Sequence, residues 1–490
     1  MEKILEESAA LDPTLLVQDR EDQYDKLALA LVAKINKLTP QELAAAEADL
    51  NGIPPSSHTI LYVCILLASI ETSPVSGKAA SRQLPATILP EGSLWPYIVQ
   101  LLLEFDPIQA RYCGTQLMRI VDYVALGAEQ TANYIPAIQL LHHLILRLDS
   151  TASTLTSTHR TFIRLCLLSQ AYTDAIGILD RPIYHIPNSQ IDLRPFKYIC
   201  SNSDQPWTYL SPATGLTQPI SSRTYLEYYV MGAMCYMAMR RYRDALFFLE
   251  VVIAAPTVQN VASVIMVEAY KKWLLLGLLI NGITPTIPRS ANQNALKHIR
   301  ALAKPYECVA DAFKGNDIGR LRAEMEAANV IWQEDGNYGL MVEVYQAFQK
   351  FSVLRLGKTF SALPVVEVAK RMSPDPTNSE ETEVYLEHLI ANGDIGAVVV
   401  DSDNSGEKIL RFLPASVSLK SESQVEVALA TQTQELRALL KHIQDTEHRM
   451  EVSKEYIDWL KKLKKMKDEE RKNGRSAAVD EVEEDVMDEF

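Results

Sequence analysis

Tyr134-Ile-Pro-Ala-Ile-Gln-Leu-Leu141, Tyr172-Thr-Asp-Ala-Ile-Gly-Ile-Leu179 and Tyr242-Arg-Asp-Ala-Leu-Phe-Phe-Leu249 are three variants of one pattern. Each has an aromatic residue, an alanine three positions on, and then apolar residues at helical spacing. They start 38 and then 70 residues apart, about one and two steps of a helix-hairpin repeat of ~35 residues. A single hairpin of this kind cannot bury its apolar face alone, so neighbours must stack into a solenoid. Solenoids hold other molecules more often than they transform them.

Working outward, apolar residues recur at helical spacing from about residue 22 to 280, as in Leu27, Leu31, Ile35 and Leu38. Two stretches interrupt them. Residues 72–93 are rich in Pro, Ser and Gly and read as a flexible connection. Residues 182–223 contain six prolines and cannot form a regular helix. The aromatics of that second stretch, Tyr184, Phe196, Tyr198, Trp207 and Tyr209, predict that it packs onto the solenoid. Beyond it, Tyr228, Gly232 and Tyr236 fall on one helix and Tyr242, Ala245 and Leu249 on the next. The small residues Gly232 and Ala245 let the two helices approach closely, a spacing similar to tetratricopeptide repeats.

The pattern changes after Met341. A helix through Phe351, a short strand, a helix over about 364–372 and a helix from Ser379, its expected N-cap, come first. Ile395–Asp401 and Lys408–Leu413 then flank the turn Asp403-Asn-Ser-Gly406, a hairpin signal. That is the element order of a winged helix. One long helix is expected over 417–466, with Leu429, Leu436, Ile443, Met450 and Ile457 falling seven residues apart in a narrow seam. The polar Gln432, Thr446 and Ser453 in the flanking column favour a mixed bundle over a long two-stranded coiled coil. Eight basic residues over 461–475 and seven acidic ones over 480–490 make a charged tail, read as disordered.

The fold class expected is therefore mainly α: a right-handed, tetratricopeptide-like solenoid, a winged helix and a C-terminal bundle helix. The divisions are 1–290 for the solenoid and 291–415 for a module ending in the winged helix (about 341–415). Residues 416–467 form the last helix and 468–490 the tail.

At 490 residues the chain exceeds one hydrophobic core. Its composition, 47% hydrophobic and 22% charged, suits a globular protein. The net charge of −14 opposes non-specific binding to nucleic acid or anionic lipid. Six cysteines lie at least 34 residues apart with no Cys-x-x-Cys pair, and most sit in apolar runs, as expected in a reducing compartment. The longest apolar run, 59–70, is too short to span a bilayer, and the N-terminus has no signal-peptide pattern. Cytoplasm and nucleus are the expected locations.

Little in the chain suggests catalysis. Gly357-Lys358-Thr359 looks like the end of a phosphate-binding loop, but Ser352 stands where the first glycine is needed and the preceding residues are helical in pattern. There is no His-Glu-x-x-His, His-x-His or Gly-x-Ser-x-Gly. His142 and His143 diverge by about 100° on a helix, so they are poorly placed to share a metal. No cofactor or metal is expected. Nor does the winged helix suit DNA. Its recognition helix, 379–392, carries Glu380, Glu381, Glu383 and Glu387 with no Lys or Arg, which would repel phosphates.

Further residues point to a family. Tyr306, Ala312-Phe313, Gly315-Asn-Asp317 and Asp335-Gly-Asn-Tyr-Gly-Leu340 resemble the signature of PCI-domain subunits of multisubunit assemblies. So do Leu354, Lys358-Thr-Phe360, Val365–Ala369 and Glu387-His-Leu-Ile-Ala-Asn-Gly-Asp-Ile395. Within that architecture, Leu148-Asp149, Leu155-Thr-Ser-Thr-His159, Tyr228-Tyr229 and above all Ser263-Val-Ile-Met-Val-Glu-Ala-Tyr-Lys-Lys272 are similar to the family of third subunits of the COP9 signalosome.

The resemblance implies a non-catalytic scaffold. The assembly removes the ubiquitin-like modifier Nedd8 from cullin-based ubiquitin ligases, and its metal-dependent isopeptidase resides in another subunit. Winged helices in such assemblies align in an arc and terminal helices gather in a bundle. The implied partners are the other subunits, with subunits one and eight as neighbours. Candidate interface residues are Val398, Val400, Ile409 and Phe412, on an edge that could accept a strand, and the seam Leu429, Leu436, Ile443, Met450 and Ile457. The alternatives are a scaffold of the proteasome lid or a translation initiation complex and, from another class, a winged-helix nucleic-acid adaptor.

Overall fold

The computed structural model describes residues 2–11, 14–17, 20–73, 84–187, 198–201, 206–257, 261–372, 379–401, 408–413, 422–452, 457–459 and 461–466. Two units divide the chain: one runs from Met1 to Val353, the other from Leu354 onward apart from a short excursion at 371–374.

In the first unit the three repeated stretches open the helices Ile135–Leu148, Tyr172–Leu179 and Tyr242–Ala254. Their alanines, Ala137, Ala175 and Ala245, are at most 1% exposed, so each marks a point of close helix approach. Two positions before each tyrosine the backbone turns left-handed, at Ala132, Gln170 and Arg240, with φ of 53°, 60° and 60°. At the second and third turns the following N–H reaches the carbonyl five residues back: Ala171 to Cys166 at 3.0 Å and Arg241 to Tyr236 at 2.9 Å. This six-to-one bond satisfies a carbonyl that the end of the helix leaves orphaned.

Successive hairpins stack. Helix Ser157–Ser169 packs on Ile135–Leu148, Tyr172–Leu179 and Ser222–Ala238, and the last of these packs on Tyr242–Ala254. Gly232 makes that closeness possible: a Cβ there would lie 2.8 Å from the Phe248 ring and 2.9 Å from Leu179. Asp180, just past one hairpin, accepts from Tyr236 OH and from Arg241, both at 2.9 Å, and so ties it to the next.

The described part of the proline-rich stretch makes an isolated parallel bridge from His185 to Thr154 and a short 3-10 turn, Pro206–Thr208, before the helix that opens at Ser222. Tyr198 and Tyr209 pack against the core as expected, whereas Tyr184 is 43% exposed; Phe196 lies outside the described residues. The chain crosses so close to Gly114 that a Cβ there would sit 2.2 Å from the Thr214 carbonyl oxygen. Residues 84–93 of the other interruption include a 3-10 turn, Ala86–Ile88; residues 74–83 lie outside the described set.

The signature stretches are more of the same turns. Asn316 is left-handed with φ 54°, and Asp317 N–H points to the Ala312 carbonyl at 3.5 Å. Gly336 has φ 65°, and Asn337 N–H reaches the Trp332 carbonyl at 2.8 Å. The second turn meets the Ser263–Lys272 stretch: Lys271 Nζ lies 2.6 Å from Glu268 and 2.8 Å from Asp335, while Tyr306 OH donates to Asp335 at 2.7 Å. Burial works against the charge on Lys271, but hydrogen bonds to Asp335 and Glu268 outweigh it and hold the ammonium above its ordinary pKa. Two sequence stretches that seemed independent are thus one polar cluster.

All six cysteines are free; four are buried and Cys64 and Cys308 half-buried. Burial pushes the Cys64 and Cys235 thiols up to about 12, so both behave as small hydrophobes. No helix among the described residues is long and apolar enough to cross a membrane.

Candidate subunit-interaction surface

The second unit has the expected winged-helix order. Strand β1 (Ala362–Pro364) is followed by helices Val365–Met372 and Ser379–Ala391, then strands β2 (Ala397–Asp401) and β3 (Lys408–Phe412). Helix Ser379–Ala391 stops as the repeats do: Gly393 turns left-handed and Asp394 N–H reaches the Leu389 carbonyl at 3.0 Å. Its first helical residue is Ser379, one position earlier than an N-cap at Ser379 would give, and the Ser379 side chain and the turn 402–407 lie outside the described residues.

Sheet order is β1-β3-β2, antiparallel throughout. One expectation is thereby corrected. Ile409 and Phe412 do not lie on an edge, because the short β1 pairs with the far side of β3 and makes it the central strand. Among the described residues β1 and β2 are the outer strands, and β2 carries Val398 and Val400, 44% and 48% exposed.

Alternation divides the sheet into two faces. Leu363, Ala397 and Leu410 point inward with Val368, Leu386 and Ile395. On the outer face the register aligns Ala362, Arg411 and Val398 in one row and Pro364, Ile409 and Val400 in another. A groove of about 1040 Å³ runs beside these rows, walled by Lys358, Phe360, Arg411 and Phe412 among others. Gly357-Lys358-Thr359 forms the end of helix Tyr338–Thr359. A Cβ at Gly357 would lie 2.8 Å from the Phe412 ring, so this glycine serves packing rather than a phosphate.

Electrostatics oppose nucleic acid here. Lys408 pairs with Glu383 of the acidic helix, and that hydrogen bond raises its pKa. The lysine is thereby neutralised within the unit, and the Asp401 and Glu387 carboxylates add further negative charge around it.

The last helix spans Glu422–Val452, with further helical residues at 457–459 and 461–466. Leu429, Leu436 and Ile443 are 59%, 60% and 44% exposed, and Ile457 is 38% exposed. The Met450 side chain lies outside the described residues. Leu439 and Leu440, 54% and 57% exposed, widen the stripe. A helix this apolar on one side is normally packed against something. Among the described residues no cluster of side chains could hold a metal ion. His143 bonds the Leu103 carbonyl at 3.1 Å while His142 lies beside the Phe162 ring, so the pair is engaged separately.

Comparison with known proteins identifies the family. Residues 21–294 match the family model described as COP9 signalosome complex subunit 3, N-terminal helical repeats. A COP9 signalosome complex subunit 3 of Emericella nidulans is 31% identical over 456 residues, covering 91% of each chain. Its counterpart in Neurospora crassa is 25% identical over 84% of this chain and 82% of its own. That of Arabidopsis thaliana is 24% identical over 77% and 76%. With a match to more than half of its length and a relative similar almost end to end, the chain belongs to the COP9 signalosome complex subunit 3 family.

Proposed function

We propose that the chain is a non-catalytic scaffold subunit of a COP9 signalosome, supporting removal of Nedd8 from cullin-based ubiquitin ligases by holding neighbouring subunits. The observation that carries this reading is the apolar stripe of helix Glu422–Val452, exposed along its described length in a chain of this family. Burying its residues in a helical bundle would contribute on the order of 1.5–3 kcal/mol each, before ordering costs. The β2 edge offers a second contact, by strand addition to a neighbouring winged helix. Subunits one and eight are the neighbours we assign, and nucleus and cytoplasm the locations, both on family resemblance.

The test is a tagged pull-down from cells with mass spectrometry, comparing the full chain with one ending at Lys420. Recovery of the other signalosome subunits, weakened by the truncation, is the expected result. Recovery of proteasome-lid or initiation-complex proteins instead would overturn the assignment to this complex while leaving the architecture intact.

A further inference from the structure

In the first unit, a cavity of about 550 Å³ lies between helix Glu21–Ile35, the residues around Arg111 and the proline-rich segment near Tyr209. Its size is that of ligand pockets in general, ~300–1,000 Å³. Arg111 forms part of the wall and is only 6% exposed. Its guanidinium stacks on the Tyr209 ring, 3.9 Å from the centroid, and donates through Nη1 to the carbonyls of Ile199 at 3.2 Å and Ser201 at 2.9 Å. Among the described residues it makes no ion pair, and its buried Nε has no acceptor.

A buried guanidinium whose hydrogen-bond acceptors are all neutral is costly. The Asp106 carboxylate acts on Arg111 through space, but it accepts from the Ile108 and Gln109 N–H groups rather than from the guanidinium. Asp25 lines the same cavity, but its Oδ1 is already engaged, accepting from Tyr112 OH at 2.7 Å and from Ile199 N–H at 3.3 Å. Glu21 is likewise taken, by Ser201 Oγ at 2.7 Å. Leu29 and Ile199, 47% and 40% exposed, add apolar surface to the wall. Cationic and apolar elements in one cavity match a peptide better than a free ion: with Nη1 engaged and Nε buried, Arg111 Nη2 is the donor left for a carboxylate, and a neighbouring apolar side chain covers the aliphatic wall.

We propose that this cavity captures a segment of a partner protein through an acidic side chain set beside an apolar one, with Arg111 as its anchor. The proposal does not depend on which complex the chain joins.

Fluorescence anisotropy on the full-length chain tests it, with labelled hexapeptides in which one Glu stands one to three positions from one Leu in a Gly/Ser background. Each peptide has a twin with Gln in place of Glu. The best Glu peptide is expected to bind about tenfold more tightly than its twin, and the margin to vanish in Arg111→Gln. Gln116→Glu places a carboxylate on the cavity wall and is expected to remove the margin while raising the melting temperature. If Arg111→Gln fails to fold, Gln116→Glu alone decides. Equal or undetectable binding of the Glu and Gln peptides, or a margin that survives in Gln116→Glu, would overturn the proposal.

Discussion

The repeats and the last helix carry apolar residues at the same helical spacing but use them in opposite ways. In the repeats, Ala137, Ala175, Ala245 and the aromatics around Phe248 are buried against neighbouring hairpins of the same chain. Along helix Glu422–Val452, Leu429, Leu436 and Ile443 face solvent. Periodicity alone therefore says that a helix has an apolar face, not what covers it. The difference lies in the small residues and turns. The repeats supply glycine and alanine at crossing points and left-handed residues at hairpin ends, which return the chain to its own surface. Helix Glu422–Val452 contains no glycine and leaves its stripe exposed, and that stripe is where we propose that partners bind.

Substitutions should respect this division, from large effects in the first unit to almost none in the last helix. Trp332 is 1% exposed, stands edge-on to Tyr306 and donates to the Met325 carbonyl at 3.0 Å. Trp332→Ala is expected to cost about 3–5 kcal/mol in urea unfolding. A loss under 1 kcal/mol would show that the repeats are packed more loosely than described.

His159 gives the next effect, through pH. Its Nδ1 accepts from Thr156 N–H at 3.2 Å, its Nε2 has no partner among the described residues, and burial pushes its pKa from 6.5 down to about 4. The neutral ring is the form that fits, so the folded state binds fewer protons than the unfolded one between those values. Stability present above pH 6.5 should decline by on the order of 3 kcal/mol as pH falls towards 4. His159→Gln should flatten that limb in pH-dependent thermal melts; an unchanged slope would mean that other groups carry it.

Gly232→Val sharpens the contrast from the packing side. A side chain so close to Phe248 and Leu179 should cost roughly 1–3 kcal/mol, read as a lower denaturation midpoint with an unchanged slope.

Much of this was legible in the sequence. Gly232 and Ala245 as points of close approach and the winged-helix order all followed from residue spacing. The turns did not, because Ala132, Gln170 and Arg240 are not residues that announce a left-handed backbone, a conformation costing ~1–2 kcal/mol without glycine. The six-to-one bonds at the second and third of these turns exist only once the helices are in place. Strand order was equally hidden: β1 is three residues long, and its pairing with β3 moved Ile409 and Phe412 off the edge. Arg111 escaped notice because its partners, Ile199, Ser201 and Tyr209, are 88 to 98 residues away along the chain.

The seam itself offers the most direct test of the central claim, that the last helix is built for partners and the repeats for the chain itself. Leu429, Leu436 and Ile443 would be changed together to Gln in the full-length chain, and its melting temperature alone compared with its recovery of partners from cells. Surface changes of this kind normally cost less than ~0.5 kcal/mol each. The account predicts a near-unchanged melting temperature and a strong loss of copurifying subunits. A large fall in the melting temperature with partner recovery intact would contradict it, because the stripe would then be packing within the chain.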